Sequence, residues 1–370
     1  MLHKLNIPSC RSHLEWIVQL QQTLLAGLTN PALTPAGVTV AWVIAQWPGL
    51  DERWIINFCS RKDEITGLRQ PMLAHMRTIA AFPANLKQEL LAAFDNDQLF
   101  PQAFANPPQA HVLCGLAFLP DDAMGSAVRG LLETFYSPTF YRSIGYRIPQ
   151  PDNSLIDFDK TAFVERFDGE NPNVQVCPYC DGSREGAQVD HFYPKSDYPA
   201  LSCHPLNLIP ICSGCNSTSN KGSKLPLTLG AGSPTAEWLH PYLRPASGTL
   251  EVRFETSTEG VVPALFSADP QVQVRLHNLE QLLNLKKRWR SALQRHIQAT
   301  QNKIRVYFTK AGRALTRDEL ITKLQDLAAN AECEIGLLPF CLIEMHYLQQ
   351  AAAQIQTAFD ELWEYNLSLA

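Results

Sequence analysis

The sequence predicts a mainly helical protein interrupted by one small α+β module, on three observations. Apolar residues recur at helical spacing in both flanks, as in Leu14, Ile17, Val18, Leu20, Leu24 and Leu25. Between the flanks, two Cys-x-x-Cys pairs, Cys177/Cys180 and Cys212/Cys215, punctuate the stretch Cys177–Lys224. Two strand-like runs, Val189–Phe192 and Asn207–Ile211, lie inside that same stretch. A chain of 370 residues has length for two or three domains. The expected division is a helical domain over 1–150, the cysteine-bearing module over 151–245, and a hairpin with helices over 246–370.

Composition narrows the class. Hydrophobic residues make 45% and charged residues 18%, which is ordinary for a globular chain. A net charge of −5 argues against a generally basic nucleic-acid binder, so charge distribution matters more than the total. The longest apolar run, Gly37–Trp47, is about half the ~20 residues that a membrane span needs, so no membrane association is expected. The first residues, MLHKLNIPSCRSHLEW, lack the continuous apolar core and small-residue site of a signal peptide. Cys10, Cys59, Cys114, Cys203, Cys333 and Cys341 are scattered without a disulfide framework, and a reducing cytoplasm is expected.

In chain order, His13–Leu28 reads as the first helix, Val38–Trp47 as a buried second, and Asp51 as the cap of a third bearing Trp54, Ile55, Phe58 and Cys59. Pro83–Leu91 opens another, with Pro near its start. Phe100–Pro120 is broken by prolines and reads as irregular, and this half shows no chemical motif. Ser137–Pro151 is aromatic, basic and proline-bounded. It reads as a linker packed on the next domain, with a phosphate-facing surface through Arg142 and Arg147 as the alternative. Phe158–Phe167 reads as a short helix leading to Cys177.

Four thiolates in two short turns suit one tetrahedral structural Zn²⁺, because each turn points two sulfurs at one centre. The spacing exceeds that of a simple zinc ribbon, with 31 residues between Cys180 and Cys212, so something is inserted. The insert carries Asp190-His191, Pro194 and Asn207. Cys215–Lys221 (CNSTSNK) then reads as a helix start with Asn216 and Asn220 on one face. Cys203 and His204 lie between the pairs but are expected to be structural, since four cysteines already fill a zinc site; His240 is expected to pack.

Beyond the module, Leu225–Pro245 is turn-rich, and Thr249–Phe254 with Val261–Phe266 suggests a hairpin around Glu259-Gly260. Helices are expected over Pro270–Phe308, Arg317–Ala331 and Pro339–Leu367. Gln281–Arg317 contains ten of the 31 basic residues and no acid. Lys286, Lys287, Arg288, Arg290, Arg295, Lys303 and Arg305 are therefore the candidate phosphate contacts, with an acidic partner protein as the alternative.

The order Asp190-His191, Pro194-Lys195-Ser196, Asn207-Leu208, Cys212-x-x-Cys215-Asn216 and Lys221-Gly222 resembles the HNH endonuclease family, with its ββα-metal fold. The likeness covers Cys177–Lys224, about an eighth of the chain. It implies a metal-dependent phosphodiester hydrolase cutting DNA. His191 would be the general base, Asp190 and Asn216 would hold one Mg²⁺ or Mn²⁺, and Asn207 would brace the loop that orients His191. One departure is that Ser217, Thr218 and Ser219 separate Asn216 from Asn220-Lys221, where the family commonly has two residues; Asn220 is therefore the alternative ligand. A non-catalytic zinc-organised binding or assembly module, or an RNA-cleaving nuclease, are the other readings. The large helical flanks loosely resemble antiphage defence effectors of the Septu and retron-linked type, which implies an ATPase partner.

Overall fold

In a computed structural model, the chain is described except for residues 1, 63–69, 106–110, 121, 142–144, 151, 153, 227–234, 247, 249, 258–259, 358–360 and 370. The N-terminal half is built from α1 (Arg11–Leu28), α2 (Val40–Gln46), α3 (Glu52–Ser60), α4 (Met72–Ala80), α5 (Ala84–Gln98) and α6 (Asp122–Thr134). Their apolar faces bury Leu14, Ile17, Val43, Ile55, Met76, Leu90 and Leu131 in one core. Asp51 caps α3 as expected, its side chain accepting from the Arg53 amide at 2.8 Å. α4 buries Met72, His75, Met76 and Ile79, and α6 buries Ala127, Val128, Leu131 and Leu132, each at helical spacing.

The segment expected to be a linker is instead a hairpin, β1 (Tyr146–Pro149) with β2 (Leu155–Phe158), pairing Tyr146 with Phe158. Both of those rings point into the N-terminal core, and the Tyr146 hydroxyl donates to the Phe135 carbonyl at 2.6 Å. Burial of alternate residues drives the pairing, which a count of prolines and charges hides. Arg142 lies outside the described residues. Phe158 thus ends a strand, and the next helix, α7 (Lys160–Glu170), starts at its Asp159 cap.

In the centre, β3 (Gln188–His191) and β4 (Leu208–Ile211) form an antiparallel pair that sets Asp190 opposite Ile209 and His191 opposite Leu208. The helix expected after Cys215 does not form; residues 212–223 are a series of turns. Ser217 donates to the Gly214 carbonyl, Asn220 donates to the same carbonyl, and Gly222 takes a left-handed φ of +45°. Short polar side chains that bond the nearby backbone compete with helix formation, and here they win.

The C-terminal part comprises the hairpin β5 (Glu251–Ser257) and β6 (Gly260–Phe266), then α8 (Pro270–Leu283), α9 (Leu285–Ala311), α10 (Arg317–Cys333), α11 (Cys341–Thr357) and α12 (Glu361–Ser368). Glu259 of the expected turn is outside the described residues. The single helix expected over Pro270–Phe308 is broken at Asn284, which sits in the left-handed region at φ 52°, ψ 45°. Asn tolerates that conformation better than most residues. A Thr316/Glu319 capping box opens α10.

Architecture is therefore mainly helical around a small module, as expected. The apolar core of the module runs continuously from Leu2 and Leu5, through Cys177, Phe192 and Trp238, into Leu279, Leu283 and Trp289. The N-terminal core likewise extends past residue 150 to Phe163, Val189, Cys203 and Leu208. No described helix is long and apolar enough to cross a membrane.

Candidate metal centre and catalytic cleft

The two Cys-x-x-Cys turns bring the Sγ atoms of Cys177, Cys180, Cys212 and Cys215 within 4.8 Å of one another, all buried. Cys177 and Cys215 are 3.8 Å apart, and Cys180 and Cys212 are 3.7 Å apart. A disulfide would bring two of them to about 2.05 Å. A tetrahedron of sulfurs around Zn²⁺, with Zn–S of about 2.3 Å, has edges of about 3.8 Å. The cage thus has the size and donor set to hold a metal ion such as zinc. Its sulfurs also accept N–H bonds: Cys177 from the Cys212 amide at 3.4 Å, and Cys212 from the Cys215 amide at 3.3 Å.

The surroundings tie remote segments to this cage. Asp181, at φ 58°, accepts from His3 Nε2 at 2.6 Å and from the Leu342 amide at 3.1 Å. The Trp289 indole donates to the Cys180 carbonyl at 2.8 Å. Cys203 and His204 take no part, as expected. Cys203 packs in the N-terminal core and His204 Nδ1 accepts from the Leu206 amide at 3.2 Å. His240 packs between Phe104 and Phe192, its Nε2 donating to the Leu206 carbonyl at 3.0 Å.

A second polar centre lies at the end of β3, where an open cleft of about 360 Å³ is lined by Asp190, His191, Lys195 and Asn216. Asp190 is only 3% exposed. Its Oδ1 accepts from Lys221 Nζ at 2.9 Å and its Oδ2 from the Tyr179 hydroxyl at 3.1 Å. Lys221, wholly buried, also donates to the His191 carbonyl at 2.6 Å. Burial pushes the Asp190 carboxyl up, and the Lys221 ammonium opposes that shift.

His191 is held from the opposite side. Its Nε2 lies 3.0 Å from the Ser202 carbonyl, which can only accept, so Nε2 carries the proton and Nδ1 keeps its lone pair. Burial, with Lys195 and Lys221 nearby, pushes the imidazole down to about 3, so the ring is neutral near pH 7. Asn207 fixes the intervening loop. Its Oδ1 accepts from the Tyr193 amide at 2.7 Å, and its Nδ2 donates to the Tyr193 and Leu201 carbonyls at 3.1 and 2.9 Å. The chain of support thus runs from Asn207 through the loop to Ser202 and His191.

The structure separates the two asparagines. Asn216 lines the cleft, its Nδ2 donating to Gln188 Oε1 at 2.7 Å, which leaves the amide oxygen free to accept. Asn220 instead folds back on its own loop, donating to the Gly214 carbonyl at 2.7 Å. Without a helix between them, they share no face.

One wall of the cleft comes from Tyr136, Ser137 and Tyr141, the last two within the Ser137–Pro151 stretch read as a linker, and residues of α6 and α1 brace the site from behind. Tyr136 packs edge-on against His191 with centroids 4.3 Å apart. Buried Glu133 pairs with Lys195, and Arg129 donates to the Ser196 carbonyl at 2.8 Å. Gln21, on α1, donates to Ser202 Oγ and to the Leu132 carbonyl, each at 3.1 Å. No local pattern marks these residues; their spacing in sequence is far too long for one.

Oxygen donors from Asp190 and Asn216 suit Mg²⁺ or Mn²⁺ in kind. The cleft has little negative charge to spare, however, since Asp190 is matched by Lys221 and Glu133 by Lys195. Such a site holds a hard cation well only when a phosphate supplies further oxygen ligands and charge.

Part of the basic stretch is engaged within the fold. Arg288 turns inward onto the cysteine sulfurs, with Nη1 3.2 Å from Cys215 and Nη2 3.4 Å from Cys180. Lys286 lies 3.7 Å from both Glu255 and Glu280, Lys303 lies 3.1 Å from Glu344, and Arg305 donates to the Tyr365 hydroxyl at 2.9 Å. The acids missing from the stretch itself are supplied by neighbouring elements. Lys287 and Arg295 remain exposed, Arg290 is half-buried, and Trp289 is core rather than a stacking surface.

No family model matches the chain, and no solved structure matches it. A stretch of 156 residues, 40% of the chain, is 28% identical to Protein ea31 of Escherichia phage lambda. The match covers 50% of that protein, so the chain spans about half the length of the curated relative it matches.

Proposed function

We propose that the cleft is the active site of an HNH-type endonuclease that hydrolyses phosphodiester bonds in DNA, with His191 as general base. The supporting observation is the placement of His191: it lines an open cleft together with Asp190, Lys195 and Asn216, and its ring is oriented by Nε2 donating to the Ser202 carbonyl. A base of this kind takes a proton from water as the water attacks phosphorus. Asn207 keeps the ring in register, and Tyr136 limits its rotation. Asp190 and Asn216 would hold Mg²⁺ or Mn²⁺, which supplies charge stabilisation at the phosphate and the departing oxygen. Lys195, steered by Glu133, faces the cleft and suits a phosphate oxygen. The four-cysteine cage holds a structural Zn²⁺ that shapes the module and takes no part in chemistry.

His191→Ala is expected to abolish cleavage of plasmid DNA while the protein stays folded and metal-loaded; unchanged cleavage overturns the proposal. Running the assay on plasmid, single-stranded DNA and RNA, with and without Mn²⁺, separates DNA from RNA as substrate. A second reading, a zinc-organised binding or assembly module without turnover, draws support from the Asp190–Lys221 pair, which already satisfies the acid. Nucleic-acid binding with no cleavage of any of these substrates would favour it. The looser likeness of the flanks to antiphage effectors extends the proposal to a cytoplasmic nuclease acting with an ATPase partner, which copurification tests.

A further inference from the structure

The N-terminus of α9 meets the cage sulfurs through the Arg288 side chain. Arg288 Nη1 lies 3.2 Å from Cys215 Sγ, and Nη2 lies 3.4 Å from Cys180 Sγ and 3.8 Å from Cys212 Sγ. The remaining sulfur, Cys177, takes the Cys212 amide. One guanidinium therefore serves three of the four sulfurs. Its planar fork presents several N–H groups at once, which a lysine ammonium cannot match in geometry. Room for it is kept by Gly214, where a Cβ would stand 3.2 Å from Nη2. The left-handed break at Asn284 sets the start of α9 so that Arg288 reaches the sulfurs while Trp289 reaches the Cys180 carbonyl.

Four thiolates around a divalent ion leave a net charge of −2, buried among apolar groups. An uncompensated buried charge is costly, and donors to the ligands of a metal raise its affinity. We infer that Arg288 is the built-in counter-cation of the metal centre, so that metal in the cage and docking of α9 against the module stabilise each other. This rests on the reading that the cage is metal-loaded, and it assigns Arg288 a positioning role in place of nucleic-acid contact.

The test measures metal content and the rate of metal release to a chromogenic chelator, with hydrogen exchange of residues 285–293 as a second readout. Wild type is expected to carry one zinc per chain and to protect the first turns of α9. Arg288→Met is expected to release zinc about tenfold faster or more, Arg288→Lys to fall between, and exposed Lys287→Met to match wild type. Stripping zinc from wild type is expected to raise exchange in 285–293 more than in α4, which does not touch the cage. If Arg288→Met fails to fold, Arg288→Lys and the stripped wild type carry the test. Equal release rates for wild type and the Arg288 variants, or unchanged exchange after stripping, overturn the inference alone. Wild type purified without any bound metal overturns the metal-loaded cage as well.

Discussion

The cage and the cleft both set a basic side chain against buried acidic or thiol groups, yet they are built for opposite ends. At the cage, Arg288 and two backbone amides turn toward four buried sulfurs. At the cleft, Lys221 neutralises Asp190 from beneath while His191, Lys195 and Asn216 face an open space. The first arrangement binds segments together; the second leaves a neutral base and a hydrogen-bonding rim exposed to a ligand. Stability should therefore follow the cage and turnover the cleft, and substitutions can break or sharpen that division.

The largest effect is expected at the cage. Cys215→Ser should abolish metal binding and cooperative unfolding together, because structural zinc in small modules contributes on the order of 10 kcal/mol. Circular dichroism with metal analysis checks this; a folded, metal-free variant with an ordinary melting transition would dissolve the contrast. At the cleft, His191→Ala should lower cleavage by roughly 10²–10⁴-fold, the usual contribution of a general base, while losing about 1–3 kcal/mol of stability with the bond to the Ser202 carbonyl, well below the loss at the cage.

Lys221→Met probes the point where the two roles touch. It strands the 3%-exposed Asp190 carboxylate, and breaking a buried pair costs about 3–5 kcal/mol. Lys221→Met/Asp190→Asn should recover much of that stability, measured by denaturant titration, without recovering cleavage. Equal stability of the single and double variants would mean that the pair contributes little to the fold. Below this in size, Gln21→Leu removes the bonds to Ser202 Oγ and the Leu132 carbonyl, with an expected loss of about 1–3 kcal/mol and a few-fold loss of cleavage.

How much of this could be read from sequence follows the same division. The cage was legible because each Cys-x-x-Cys turn is a local device whose geometry is set within four consecutive residues. The β3–β4 pair was legible from two short strand-like runs, whereas the grouping of Asp190, His191 and Asn207 came only from the family likeness. The contacts of Glu133 with Lys195 and of Tyr136 with His191 were not, since both lie more than fifty residues before His191 and nothing local marks them. The partners of the basic stretch were hidden for a related reason: an acid-free run says nothing about Glu255, Glu280 and Glu344, or the cage sulfurs, brought to it by other elements. Asn216 and Asn220 were assigned to one helical face because the period suggested it, whereas serine and asparagine side chains bonded the backbone into turns.

The smallest expected effect is an absence, and it bears most directly on the cleft. An ordinary histidine with a pKa of about 6.5 would lose its neutral form by about fourfold between pH 7.5 and pH 6. Burial holds His191 at about 3, so kcat/KM should stay flat over that interval. Stability should behave differently. The folded state resists protonating His191, whereas the unfolded chain binds that proton below about pH 6.5, so the contribution of this group is intact above pH 6.5 and is lost as pH falls toward 3. Cleavage rates and denaturant midpoints measured on the same samples should therefore diverge, with a level rate and a midpoint that declines on acidification. A rate that halves near pH 6.5 would place the reacting base at a solvated histidine elsewhere, and the cleft would lose its claim to the chemistry.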